Sequence, residues 1–358
     1  KATEIPFNVH VNIDLGPMVS FKYPIDDAPD AFVTQIRDAV PSPDGKMLAF
    51  TALNRLYVMD FPNGKPKRLT KMDIIETQPN WSPNGKEIVY TSWSEADGGH
   101  LYKVSLSNST PTKLTTDSAL YGNPVWDSKT NRIVFTKGSA QNFRNAYLRG
   151  AFSGSEDLMW IKSTGGNQTF IAKTNGKGNP HFIESDDRIY LSNRSGLKSI
   201  RWDGTDEKEV LSVSGIVTFG SSTPHVDHGY LDDDIDAEEN SQGAKPVEIY
   251  MAPKGDKAMA LINNDIYVIT VPKYGQTPSI SVANPSSAKF PSWKLTELGG
   301  EFPSWSSDAK QVHWSLGNAH FIYDLAAGKA SEEKIEAAKK AKKDKKKNEE
   351  DNDEEKED

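Results

Sequence analysis

The sequence predicts an all-β protein, a six-bladed β-propeller followed by a charged, disordered or helical C-terminal tail. A ten-residue frame occurs six times without a gap, successive frames start at a spacing that suits a four-stranded unit, and apolar residues nearly vanish near the C-terminus. Repeats of this size are typical of supersecondary units that bury their faces only by stacking on their neighbours. The frames start at Pro41, Trp81, Trp126, Phe182, Met251 and Trp305.

Each frame joins a polar turn to a short apolar strand, and the clearest copies read PSPDGKMLAF and WSPNGKEIVY. Asp44-Gly45 and the equivalent Asn-Gly pair are strong hairpin signals, so a turn is expected there. In the first unit we expect strands at 47–52 and 55–60 and an exit strand from Arg68. The same third strand is expected in later units at 159–162, 199–202, 266–269 and 321–324.

Longer gaps between frames are interpreted as insertions at 139–156, 223–246 and 286–300. Units of four short strands at this period are typical of propeller blades. An unrelated β-sandwich with coincidental turns is the alternative fold, and six gapless frames at blade spacing favour the propeller.

The N-terminal region alternates apolar and polar residues over 5–15, which predicts a half-buried strand, and more briefly over 18–23. The last unit ends one strand short after Leu325. We therefore expect 5–15 or 18–23 to pair into the sixth blade and to cover its exposed edge. This assigns 1–328 to the propeller, with blades over about 33–325, and 329–358 to the tail.

The bulk composition excludes several classes of protein. The formal net charge is -8, which gives no support for nucleic-acid binding. The chain has no cysteine, so thiol catalysis and cysteine-ligated zinc are excluded, and no apolar run is long enough for a transmembrane helix. It begins at Lys1 without a methionine, from which we expect either a removed export signal or a longer polypeptide.

No motif for catalysis or for cofactor binding is visible, so neither a catalytic nor a cofactor residue is predicted. The hydrolase elbow G-x-S-x-G, the P-loop and the dinucleotide fingerprint are absent. Histidines and aspartates at 225–239 have residue types that bind Zn²⁺ or Ca²⁺, but ligands crowded on one segment rarely converge. A solvated acidic insertion is the interpretation we adopt, with no metal site predicted.

Aromatic residues and histidines receive mainly structural interpretations. Trp81, Trp126 and Trp305 share one frame position, which favours a packing role over a carbohydrate-binding face. His313 lies inside the last frame and is expected to be a packed histidine rather than a catalytic base. One insertion combines two aromatic residues with two arginines, a composition that suits a protein interface, although a simple structured loop is the alternative. These candidate interaction residues are Phe143, Arg144, Tyr147 and Arg149.

The frame, its following strand and the exit triplet resemble the TolB-type propeller repeat, most clearly at 42–50, 56–60 and 68–70. A narrower resemblance covers 36–60, 251–271 and 301–325. These stretches are similar to propeller regions of large secreted bacterial proteins in which the propeller precedes a metal-dependent amidohydrolase domain.

The resemblance implies a non-catalytic propeller that serves as a scaffold, substrate-access or docking domain. Its expected partner is an attached or associated hydrolase domain, in which case the full-length protein would be an amidohydrolase acting on C–N bonds. A free-standing cell-envelope propeller with a protein partner is the alternative, and the propeller of a serine oligopeptidase is a third. All three imply no nucleic-acid partner, and the resemblance implies an exported protein of the periplasm, cell envelope or extracellular space.

Overall fold

The computed structural model describes residues 7–13, 16, 32–145, 157–216, 243–331 and 334–335. The chain separates into two units, Lys1–Phe32 and Val33–Asp358. The larger unit is the six-bladed β-propeller that the repeat predicts, built from antiparallel blades with four strands in most of them. No helix in these described ranges is both long enough and apolar enough to cross a membrane.

The first three blades follow the chain in simple order, each with its strands numbered from the axis outwards. Blade 1 contains β1 (Arg37–Pro41), β2 (Met47–Ala52), β3 (Arg55–Asp60) and β4 (Lys67–Arg68). Blade 2 contains β5 (Ile75–Trp81), β6 (Glu87–Ser94), β7 (Gly98–Ser105) and β8 (Pro111–Lys113). Blade 3 contains β9 (Leu120–Trp126), β10 (Arg132–Gly138), β11 (Asp157–Lys162) and β12 (Thr169–Lys173), with helix α1 (Ala140–Asn145) after β10.

The last three blades depart from this order. Blade 4 contains β13 (Gly178–His181), β14 (Ile189–Asn193), β15 (Gly196–Ile200) and β16 (Lys208–Ser214), and β20 (Ser279–Ser281) adds to it in parallel. Blade 5 contains β17 (Glu248–Met251), β18 (Lys257–Ile262), β19 (Asp265–Thr270) and β21 (Ser292–Lys294). In the described chain, blade 6 has three strands, β22 (Glu301–Trp305), β23 (Gln311–Leu316) and β24 (Ala319–Asp324).

Side-chain hydrogen bonds explain why the frame forms a turn. The hydroxyl of Ser42 donates to Asp44 Oδ1 over 2.7 Å and accepts from the backbone N–H of Met47 over 2.9 Å. The same carboxylate accepts from the N–H of Lys46, and Gly45 supplies the left-handed residue with φ of 69°. Frames two and six repeat this set of bonds, so the serine, the aspartate or asparagine and the following residue specify the turn locally.

Most of the core lies between blades, and one further apolar cluster consists of residues of blade 1. One apolar cluster combines Leu56 of blade 1 with Trp81 and Tyr90 of blade 2, and equivalent clusters join each later pair of neighbours. The ring closes where the N–H of Ile36 donates to the carbonyl of Gly317 over 2.9 Å. A blade alone therefore leaves both apolar faces in water, and only the closed ring buries them.

The insertion predicted at 286–300 is wrong in part, because this stretch contains β21, the outermost strand of blade 5. β21 pairs with β19, and Thr296 then accepts a hydrogen bond from the N–H of Ile266 over 3.1 Å. A three-residue outer strand carries too little apolar pattern to be distinguished from a loop.

The described part of the predicted closing strand forms no strand. Residues 7–13 lack regular secondary structure, and Phe7, Val9, Val11 and Ile13 are each exposed by 68–82%. The other candidate, 18–23, lies outside the described residues, and its pairing stays a prediction. Residues 325–331, where the propeller ends and the tail begins, are helical. Asp324 Oδ1 caps this helix by accepting the N–H groups of Ala326 and Ala327.

The frame turns give a paired test of backbone conformation. No atom lies within 4 Å of the position that a Cβ would take at Gly45, so Gly45→Ala should cost only the left-handed conformation, about 1 kcal/mol. Ala309 occupies the same turn position with φ of 61°, and Ala309→Gly should stabilise the protein by up to about the same amount. Urea unfolding measures the free energy of unfolding of both variants. A lower stability of Ala309→Gly would contradict the assignment of a strained left-handed conformation to residue 309.

Candidate functional site

The axis of the propeller is a funnel lined by one residue from the same position of every inner strand. This position lies three residues before each frame, and its six residues form what we call the axial ring. The ring residues border a cavity of about 1100 Å³. In blade order they are Asp38, Gln78, Asn123, Asn179, Glu248 and Phe302.

A backbone bulge aims five of these residues towards the axis. At each of the five the strand register shifts, and φ lies between 48° and 55°. Asparagine and aspartate tolerate this left-handed region better than most residues, whereas Gln78 and Phe302 rarely adopt it. Glu248 is the exception, because β17 keeps a regular register. Bulges of this kind redirect side chains and are common beside functional sites.

Proline follows the ring residue in four blades, at Pro79, Pro124, Pro180 and Pro303. The inner strands are sheet edges that face the axis, where proline is tolerated because its missing N–H leaves no ladder bond unmade. These prolines therefore present no N–H donor with which another strand could pair.

Amide hydrogen bonds connect the ring residues of blades 1 to 4. Asp38 Oδ2 accepts the backbone N–H of Gln78 over 3.1 Å. Gln78 and Asn123 exchange two bonds, in which Gln78 Nε2 donates to Asn123 Oδ1 over 2.7 Å and the N–H of Asn123 donates to Gln78 Oε1 over 2.8 Å. Asn123 Nδ2 then donates to Asn179 Oδ1 over 3.0 Å. These bonds fix the orientation of the amides before any ligand arrives.

Two carboxyl groups lie on the other side of the ring, at Glu248 of blade 5 and Asp38 of blade 1, with Phe302 of blade 6 between them in ring order. Burial by the surrounding protein raises the pKa of Glu248 to about 7, and the charge of Asp38 adds to the effect. Burial also raises the pKa of Asp38, against the hydrogen bond from Gln78. Tyr250 lies near Glu248, and the pKa of its hydroxyl is raised by burial and then by the charge of that carboxylate.

Acidic residues outnumber basic ones on the described funnel wall. Besides the two ring carboxyls, the acidic residues are Asp127, Glu184, Asp186, Asp187 and Asp308, and the basic residues are Lys129, Arg132 and Lys254.

The three basic groups already have partners. Lys129 Nζ lies 2.8 Å from Asp187, and Lys254 Nζ lies 3.6 Å from Glu184. The guanidinium carbon of Arg132 lies 4.4 Å from the ring centroid of Trp160. Within the described chain no lysine or arginine forms an ion pair with Asp38 or Glu248, although the charge of Arg37 acts to lower the pKa of Asp38. The two carboxyl groups therefore lack a direct counter-ion.

The frame tryptophans connect neighbouring blades and also border the funnel. The indole N–H of Trp81 donates to the carbonyl of Val40 in blade 1, and that of Trp305 donates to the carbonyl of Tyr250 in blade 5, over 3.0 and 3.3 Å. The packing role expected from the frame is thus present, but both rings also line the cavity. A purely structural interpretation of these residues is incomplete.

The candidate interaction residues lie away from the funnel where they are described. Phe143 and Arg144 belong to α1 and pack on Trp93, with a ring centroid distance of 4.5 Å for Phe143. Arg144 Nη2 also donates to the carbonyl of Glu95 over 3.2 Å. Phe143 is partly buried by its contact, whereas Arg144 stays exposed. Tyr147 and Arg149, like the acidic segment 225–239, lie outside the described residues, so an interface there stays a proposal.

His313 and His320 pack against each other and against an aromatic ring. His313 is 2% exposed, and its Nδ1 lies 3.1 Å from Nε2 of His320, beside the ring of Phe61. Burial lowers the pKa of each of these histidines to about 4. In the part of the chain that the structure describes, no three or more His, Cys, Asp or Glu residues are grouped to hold a metal ion.

Sequence reasoning missed the axial ring because it compared the frames only from their first residue onwards. Only two of the six ring residues, Asn123 and Asn179, share a residue type, so the position does not look like a repeat. The signal that could have found them was the proline that follows four of them, which places a conformationally restricted pair at one position of the repeat.

Comparison with known proteins confirms the TolB-like propeller. Residues 38–160 match the family described as the TolB beta propeller domain. A putative TolB from Agrobacterium tumefaciens superposes with a TM-score of 0.52 at 16% identity, over 81% of this chain and 89% of that one. A gluconolactonase from Xanthomonas campestris superposes with a TM-score of 0.53 at 10% sequence identity, over 82% of this chain and 86% of that one. An oligogalacturonate lyase solved with manganese superposes with a TM-score of 0.50 at 12% sequence identity, over 83% of this chain and 78% of that one. No curated protein matches the sequence.

His181 should make the stability of the propeller depend on pH. Its Nε2 accepts the N–H of Met251 over 2.9 Å while Nδ1 lies 2.9 Å from the carbonyl of Asn179, an arrangement that requires the neutral ring. Burial lowers the pKa of His181 to about 4, below the value near 6.5 of an unfolded chain. The unfolded state then binds the extra proton, so stability falls as pH falls from about 6.5 to about 4, by up to about 1.4 kcal/mol per pH unit.

Urea unfolding at several pH values measures this dependence. His181→Gln should reduce the pH slope between 6.5 and 4 by the share of this one group, because His313 and His320 keep their own contributions. His10→Gln, a change at an exposed histidine, should leave the slope unaltered. Equal slopes in His181→Gln and the unmodified protein would show that His181 does not titrate as described.

Proposed function

We propose that this TolB-like propeller is a non-catalytic docking domain that binds a protein partner through its axial funnel. The observation that carries the proposal is the axial ring: preoriented amides on one side, two carboxyl groups without a counter-ion on the other. Such convergent polar groups in a cavity of about 1100 Å³ are typical of a binding site. The fold alone does not select this role, because propellers support many functions.

The partner that we favour is a hydrolase domain attached to or associated with the propeller, as the resemblance to amidohydrolase-linked propellers implies. In that setting the propeller acts as a scaffold or as a route for substrate. A free-standing propeller that binds a protein of the cell envelope is the second candidate, favoured by the TolB-like repeat. Both place the protein outside the cytoplasm, in the periplasm, the cell envelope or the extracellular space. The propeller of a serine oligopeptidase is the weakest of the three.

Site-specific photo-crosslinking in the producing cells tests the docking role. Benzoylphenylalanine in place of Lys254, on the funnel wall, should crosslink one defined partner that mass spectrometry identifies. The matched control replaces Lys67, which is exposed on the outer strand β4, and should give no such product. A product of equal yield from Lys67, or none from Lys254, would contradict docking at the funnel.

The identity of the crosslinked partner distinguishes the hydrolase-associated propeller from the free-standing envelope propeller. A crosslink to a hydrolase domain of the same or an associated polypeptide supports the first setting, and a crosslink to a lipoprotein or membrane protein supports the second. Reading the coding sequence on both sides of these residues tests the first setting independently: an adjoining metal-dependent amidohydrolase domain is expected, and an adjoining α/β-hydrolase domain with a G-x-S-x-G elbow would support the oligopeptidase instead.

A further inference from the structure

We infer that the funnel recognises a lysine or arginine side chain, whose cationic head lies between Asp38 and Glu248 and whose methylene stem lies along Phe302. The inference deepens the proposed function and rests on it. The cation is expected to come from an extended segment of the docked partner. The site is set by three successive blades of the ring, namely blades 5, 6 and 1.

Charge is the first argument for a cation. Two carboxyl groups share one ring, the charge of Asp38 acts on Glu248, and neither carboxyl forms an ion pair with a basic group of the described chain. Carboxylates surrounded by protein are costly unless a cation or several hydrogen-bond donors compensate them. The cations nearest in the wall, Lys129 and Lys254, are held by rim carboxylates. A cation supplied from outside would therefore find both ring carboxylates available.

The neighbouring groups favour an organic cation with an apolar stem. Asp38 keeps one carboxylate oxygen free of the bond to Gln78, and carboxylates only accept hydrogen bonds, so the site needs donors rather than further acceptors. Ammonium and guanidinium groups supply three and five donors and no acceptor. Phe302, the only apolar member of the ring, offers an aromatic surface for the methylene groups and for a cation–π contact.

The arrangement suits a divalent metal ion less well. Calcium takes six to eight oxygen ligands, and the two ring carboxyls have no third acidic or histidine group close enough to complete a set in the described chain.

Peptide binding measures the inference directly. The probe is an acetylated and amidated octapeptide of glycine and serine with one central lysine, and the matched probe carries norleucine, which keeps the stem but lacks the charge. Titration followed by NMR with the full chain at pH 8 should show that the lysine peptide binds at least about tenfold more tightly, as expected for charge-assisted hydrogen bonds. Equal affinities for the two peptides would overturn the inference.

Isosteric substitutions locate the cation. Glu248→Gln and Asp38→Asn each keep the shape of the ring and should weaken binding of the lysine peptide about tenfold. Glu209→Gln removes the same charge from an exposed strand position of blade 4 and should change the affinity less than about twofold. An equal loss in all three variants would mean a general charge effect and would overturn the assignment.

The pH dependence of peptide binding can be measured on the unmodified protein. Because Glu248 has a pKa of about 7 in the free protein and lysine stays charged below about pH 10, the lysine peptide should bind more tightly at pH 8 than at pH 6. Glu248→Gln should lose most of this difference. Affinity that is unchanged or stronger at pH 6 would contradict a role for the Glu248 carboxylate.

Failure of this inference and failure of the docking proposal give different results. If the Lys254 crosslink persists while the two peptides bind equally, docking stands and cation recognition is wrong. If the lysine peptide binds in the ring but Lys254 gives no crosslink, the cation site stands and protein docking is wrong.

Discussion

Closure of the ring is the constraint on which the other features depend. Each blade has two apolar faces and can bury them only against its neighbours, as the clusters that combine Leu56 with Trp81 and Tyr90 illustrate. The contact between Ile36 and Gly317 completes the circle and brings all six inner strands to one axis. Those strands are unpaired on their axial edges, so bulges, prolines and polar side chains must satisfy them there. The funnel and its polar ring are thus consequences of the way in which the core is buried.

The parts of the fold that the sequence reveals are those that local interactions specify. Ser42 and Asp44 build their turn with bonds that span at most five residues, and the same residue types recur at Ser82 and Ser306. Such local bonds produce a repeated sequence, so the turns and the strands after them were predictable. The parallel pairing of β20 with β16 joins residues about 67 positions apart and leaves no local pattern, since Ser212 is opposite Ser279.

The axial ring escaped prediction for a different physical reason. What the blades share at this position is a left-handed backbone and a bulge, whereas the side chains range from Asp38 through Asn123 to Phe302. Packing does not constrain a side chain that faces a funnel, so residue type varies freely there while the strand geometry is kept. Comparison of residue types between repeats therefore finds the turns and overlooks the site. The predicted interaction residues Phe143 and Arg144 lie away from the funnel, and both contact Trp93.

The distribution of polarity around the ring argues that the two carboxyls serve a ligand rather than the fold. The amides of Gln78, Asn123 and Asn179 satisfy one another and fix three blades relative to each other at no net charge. Asp38 and Glu248 add mutual repulsion and desolvation, which destabilise the charged forms of both groups. In the proposed complex a cation in the funnel offsets this cost, and the amide half of the ring holds Asp38 in place through the N–H of Gln78.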